Sequence, residues 1–120
     1  MTEYELRDLF ISMQGEAQTT SALFLTVISG YLVVAYLLGR DLTKSQFRIF
    51  TGIFIVFAGA QIAGHFITML TMGNIAAKSV TLGGSARPMM FWSVVYLVIH
   101  LAIAAACLKF MWDIRHPKTE

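Results

Sequence analysis

A chain of 120 residues that is 57% hydrophobic and only 13% charged lies far from the roughly 25% charged share of a soluble domain. The apolar runs leave no length for a second domain, and a net charge of +2 spread over short connections is too small for a nucleic-acid footprint. Cys107 is the single cysteine and sits deep in an apolar run, so no disulfide framework or cysteine-based metal knot is available.

Ala17 to Gly39, Ile49 to Ala77 and Pro88 to Leu108 contain no Asp, Glu, Lys or Arg. About 20 apolar residues match a hydrocarbon core of about 30 Å, where only a helix satisfies its own backbone polar groups. The expected fold is all-α: three transmembrane helices over 17–39, 44–73 and 86–112, preceded by a short amphipathic helix over 3–16.

In that first segment Leu6, Phe10, Met13 and Ala17 recur at helical spacing, while Glu3, Glu5, Arg7 and Asp8 take the remaining surface. Two readings stand: a helix on the outer interface or extending span one, and an acidic vestibule formed by several copies. The leading charges are the opposite of a basic n-region and no A-x-A pattern follows, so span one is expected to be retained. Anchoring is expected to rest on the helices alone, without a lipid.

Gly39 predicts a left-handed stop to span one, and Thr43 with Gln46 has the spacing of a capping box opening the next helix. Spans one and two therefore form a tight antiparallel hairpin. Gly73 and Asn74 are expected to end span two. Gly83, Gly84 and Ser85 mark a turn before Pro88 in the first turn of span three, and Pro117 stops the chain after it. The stretch 74–87 is open to an interfacial or re-entrant path.

Arg40, Lys44, Arg48, Lys109, Arg115 and Lys118 fall on one side of the membrane, and Arg7, Lys78 and Arg87 on the other. Six against three predicts a cytoplasmic C-terminus and an outward N-terminus. Trp92 and Trp112 are 20 residues apart, or about 30 Å of helix, which puts one indole at each interface. Lys109 can then snorkel beside Trp112.

Polar side chains recur inside the spans. Gln61, His65 and Thr68 share one face of span two; Ser93, Tyr96, His100 and Cys107 form a stripe on span three; Thr26, Ser29, Gly30 and Tyr36 form a weaker one on span one. Polar groups are costly in hydrocarbon unless paired, so these are candidates for a protein interior or a pore lining. Counting from the span centres puts Gln61 level with His100. Small residues at four-residue spacing, Gly59 with Ala63, Ala60 with Gly64 and Ala102 with Ala106, with Gly52 extending the series, are candidate helix-packing positions.

Three readings of His65 and His100 are open: neutral hydrogen-bonded imidazoles serving structure, axial ligands of a b-type haem, or the lining of a proton or ion path. Apart from that haem, no cofactor or metal is expected. No carboxylate lies in any span, which disfavours a proton relay, and no nucleophile, base and oxyanion donor come together, so an enzyme is not expected.

The opening Met1-Thr2-Glu3-Tyr4-Glu5-Leu6 and the run from Ser29 to Arg40, with Leu42 and Thr43 after it, resemble small three-span inner-membrane proteins of unknown function from Gram-negative bacteria. The resemblance covers mainly the first half and implies a bacterial inner-membrane location, with no activity or site residues. In size and span count the chain also resembles haem-binding anchor subunits of succinate dehydrogenase and class I phage holins. It departs from the anchors in lacking Arg, Asp and Tyr around the span-two histidine, and from holins in a shorter, less basic tail.

Three helices with almost no extramembrane mass enclose too little volume for a substrate path, so function is expected from assembly. The first expectation is a homo-oligomer forming an ion channel or pore, with polar stripes on the central cavity. The alternatives are an anchor or accessory subunit of a larger membrane complex, with or without haem, and a holin-like effector.

Overall fold

The structure, a computed structural model, describes residues 1–117. Lys118, one of the cations counted for orientation, lies outside them. The described chain is three helices, α1 (Glu3–Leu38), α2 (Lys44–Lys78) and α3 (Arg87–Arg115), with no strand among the described residues. They run up, down and up in a bundle of 61 × 23 × 17 Å.

Each helix is long and apolar enough to cross a membrane. Only 22%, 28% and 17% of the most apolar stretches of α1, α2 and α3 are buried inside the bundle. Leu25, Val33, Ile53, Phe57, Val98 and Leu101 all stand outward, which a soluble protein would turn inward. The chain thus fits a multi-pass membrane protein whose solvent is lipid.

Local chemistry accounts for the helix ends. Thr2 and Glu5 make a capping box at the start of α1, and Thr43 with Gln46 makes the expected one at α2: the Thr43 N–H donates to Gln46 Oε1 at 2.9 Å and the Gln46 N–H to Thr43 Oγ1 at 3.2 Å. Pro88 occupies the first turn of α3, where its missing N–H costs no helical bond. Gly83 and Gly84 take φ of 101° and 62°, the left-handed values that make glycine the suitable residue for the α2–α3 turn.

Three expectations are corrected. The amphipathic segment 3–16 is not a separate helix but the first turns of α1, because nothing between Glu16 and Ala17 breaks the ladder and the Thr19 and Thr20 hydroxyls donate back to the carbonyls of Gly15 and Glu16. Its predicted face is still the packed one: Leu6 and Ala17 are buried, Phe10 and Met13 half-buried.

Gly39 is right-handed, at φ −55° and ψ −36°. Its lack of a side chain has two causes: a Cβ there would run into the Ala35 carbonyl of its own helix end and would also come to 3.0 Å from Ile114 Cγ2 on α3. Gly73 and Asn74 do not end α2, which continues to Lys78. Gly73 is a close-approach point instead: an added Cβ would lie 3.2 Å from Met89 Cβ. The stretch 74–87 is accordingly a helix end and a short turn.

At about 1.5 Å per residue, the 36 residues of α1 and 35 of α2 reach roughly 54 and 52 Å, well beyond a hydrocarbon core of about 30 Å. The excess lies where α1 begins and α2 ends, so the two extensions pack on each other. Below them runs one seam, with Phe24, Ile28, Tyr31 and Ala35 from α1, Phe54, Ala58 and Ile62 from α2, and Cys107 and Met111 from α3. Tyr31 stacks on Phe54 at 4.1 Å between centroids and shares a hydrogen bond with Thr51 Oγ1 at 3.1 Å, so its hydroxyl is satisfied in a low-dielectric core.

Candidate functional site

His65 of α2 and His100 of α3 meet in the interior, 7% and 8% exposed. Their rings stack with centroids 5.3 Å apart and planes 29° from parallel. Phe24 of α1 covers His100 at 4.5 Å, and Tyr96 sets its edge against His65 at 5.3 Å. All three helices therefore contribute to one aromatic cluster. By helix rise it lies about 12 Å from Trp92 and about 18 Å from Trp112, closer to the α2–α3 turn.

Hydrogen bonding distinguishes the two imidazoles. His100 Nδ1 lies 2.6 Å from the Tyr96 carbonyl oxygen, which can only accept, so Nδ1 carries the proton and donates. His65 Nδ1 lies 3.4 Å from Ser21 Oγ, and His65 Nε2 is buried without a hydrogen-bond partner among the described residues. An orphaned polar atom in such a place costs about 1–3 kcal/mol.

A cleft of about 520 Å³, lined in part by the His65 ring, extends toward the α2–α3 end of the bundle. Phe10, Gln14, Gln18 and Ser21 line it from α1, His65, Met69 and Met72 from α2, and Met89 and Tyr96 from α3. Its size and its mostly apolar walls with a few converging polar groups are those of a small-ligand site. A larger groove of about 770 Å³ lies between α1 and α3 toward the other end, lined by Leu32, Val33, Ile103, Phe110 and others. It offers almost no polar group to orient a ligand.

Of the polar candidates, the fold unites His65, Tyr96 and His100. It puts His65, not Gln61, level with His100; Gln61 and Thr68 are half-buried and outside the cleft. Ser93 is buried but donates to the Met90 carbonyl at 2.7 Å, a bond within its own helix. The small-residue candidates do not pack inside the protomer. Gly52, Gly59, Ala60, Ala63, Ala102 and Ala106 are exposed and Gly64 half-exposed, and an added Cβ at Gly52, Gly59 or Gly64 meets nothing within 4 Å.

Other members were missed from sequence. Ser21, Gln14 and Gln18 carry no periodic signal beyond a polar helix face. Met69 and Met72 follow His65 at i+4 and i+7 and were legible as its continuation. The stacked imidazoles do not offer themselves end-on to opposite faces of a porphyrin, as axial haem ligands do, so haem binding requires the rings to part.

Comparison with family models, curated proteins and solved structures finds no match, so the chain's own geometry carries the functional reading.

Proposed function

We propose that this protein is a small, non-catalytic, homo-oligomeric subunit of the bacterial inner membrane that holds a small ligand in the cleft above His65. The observation that carries the reading is the convergence of Ser21, His65, Tyr96 and His100 within one protomer. A pore around a shared axis needs polar groups on an outward face. The outward face of α2 is Gly52, Val56, Gly59 and Ala63, a surface suited to close helix contact, and the polar stripe that stands outward is the weaker α1 one of Thr26, Ser29 and Tyr36, with no histidine among them.

Orientation follows the cations. Arg40, Lys44, Arg48, Lys109 and Arg115 cluster at one end of the bundle and Arg7, Lys78 and Arg87 at the other, which favours a cytoplasmic C-terminus. The cleft then opens toward the outer leaflet.

Native mass spectrometry from detergent, combined with flux measurements in liposomes, tests this. The expected result is a small whole-number multiple of the 13.3 kDa chain, with no conductance above that of empty vesicles. A monomer would remove the assembly, and a current altered by His65→Ala would restore the pore.

A further inference from the structure

We infer that the cleft is a site for a soft monovalent metal ion, Cu(I) in the cell, taken by a subset of the His65 imidazole and the thioethers of Met69, Met72 and Met89. This deepens the ligand-binding reading by naming the ligand. His65, Met69 and Met72 lie at i, i+4 and i+7 on one face of α2 and are 7%, 7% and 3% exposed. Met89 enters from α3 beside Gly73, where an added Cβ would lie 3.2 Å from its own Cβ. All four line one cleft.

The donor chemistry selects the ion. Thioethers are soft and neutral and favour Cu(I), and imidazole accompanies them readily. His65 has one nitrogen, Nδ1, 3.4 Å from Ser21 Oγ of the cleft wall and the other, Nε2, buried without a hydrogen-bond partner among the described residues, so the imidazole keeps a nitrogen uncommitted for an ion once the ring turns toward the cleft. The cleft lining contains no carboxylate or thiol, so a bound ion keeps its full charge in a low-dielectric setting. A single charge is far cheaper to bury there than a double one. Among the described residues no three His, Cys, Asp or Glu side chains form a metal-holding group, so harder divalent ions find no rival site.

Along α2 the donors extend over about 10 Å, so a subset of them holds an ion at any moment. The amides of Gln14 and Gln18 on the α1 wall supply oxygens where the ion sheds its water.

The test uses the full chain in non-ionic detergent and chloride-free buffer, with Ag(I) as a redox-inert probe. A Cys107→Ala background removes the one competing thiol, which is buried in the core. Titration is followed by the 13C-methyl signals of the methionines. The expected result is saturable binding that shifts the Met69, Met72 and Met89 methyls and leaves those of the exposed Met1 and Met90 in place.

Replacing Met69 and Met72 together by leucine keeps side-chain volume and removes both sulfurs, and should weaken binding by about tenfold or more; Met90→Leu should not change it. No saturable binding, equal shifts at Met1 and Met90, or unchanged affinity in a folded double leucine variant would overturn the proposal. The methyl shifts of the unsubstituted cleft decide the matter even if that variant fails to fold. The mass and conductance measurements above do not involve the metal, so the two readings fail separately.

Discussion

The Glu3 carboxylate accepts a hydrogen bond from Ser79 Oγ at 2.6 Å across 76 residues of chain. Its oxygens also receive the Val80 N–H at 3.0 Å and Thr81 Oγ1 at 2.9 Å, so the first turn of α1 is tied to the α2–α3 turn. Donation from Ser79, then Val80 and Thr81, holds the Glu3 carboxyl below the usual carboxylate range.

A carboxyl with a depressed folded pKa contributes stability above its unfolded value of about 4.3 and loses it as pH falls through the folded value. Hydrogen exchange, corrected for its intrinsic pH dependence, should therefore show segments 3–16 and 79–84 losing protection together under acid. Glu5, whose carboxyl is also lowered, first by the Thr2 N–H of its capping box, loses its contribution in the same direction as pH falls. Glu3→Gln at neutral pH isolates the tie: the neutral acceptor should loosen residues 79–84 without affecting the cap. Equal protection of that turn in both proteins would refute the tie.

At the other end Arg115 closes the α1–α2 hairpin. Its Nη1 donates to the carbonyls of Gly39 at 3.0 Å and Leu42 at 2.7 Å, and its guanidinium lies 4.5 Å from the centre of the Phe47 ring. Bonds from a charged donor contribute about 1.5–3 kcal/mol. Arg115→Ala should cost about 2 kcal/mol, and Arg115→Lys, lacking the planar fork, should recover only part of it. Chemical unfolding in detergent reads this; a loss no larger than that of Lys109→Ala, whose exposed pair with Asp113 contributes little, would show that the clamp is idle.

His65→Phe removes the orphaned Nε2 while keeping a ring against His100. If the imidazole is retained for ligand binding and not for structure, stability should hold or rise by about 1 kcal/mol, because the 3.4 Å contact to Ser21 is near the limit of a hydrogen bond. A thermal scan showing a fall of about 2 kcal/mol or more would make His65 a structural residue.

On the outer face of α2, Gly59→Leu meets no atom of its own protomer within 4 Å at Cβ. The protomer should unfold within about 0.5 kcal/mol of the unsubstituted chain, while the oligomer read by native mass spectrometry shifts to lower order. An unchanged oligomer would move the interface away from this stripe.

Much of the fold was legible because lipid makes the signal strong: uncharged runs such as Ala17 to Gly39, the capping box at Thr43 and Pro88 in the first turn each have a local cause. The errors share a different origin. Gly39 and Gly73 read as helix stops by residue type, yet Gly73 makes room for Met89 on another helix, and Gly39 makes room for Ile114 as well as for the Ala35 carbonyl of its own helix end; the contacts across helices are a reason no local pattern contains. Likewise the His65 and His100 stripes were visible singly, but the register that stacks them, and drops Gln61 from the level of the pair, comes from how three helices of unequal length align. The clamp at Arg115 joins residues 73 and 76 positions apart and could not be read from charge spacing.

The central claim is that His65 and His100 meet inside one protomer, and the most direct measurement joins His65→Cys with His100→Cys in the Cys107→Ala background and treats membranes with a short bifunctional thiol reagent. With ring centroids 5.3 Å apart in one chain, the account predicts an intrachain link that leaves the protein at monomer mass on a denaturing gel. A dimer or ladder formed only when both cysteines are present, with no intrachain product, would contradict it.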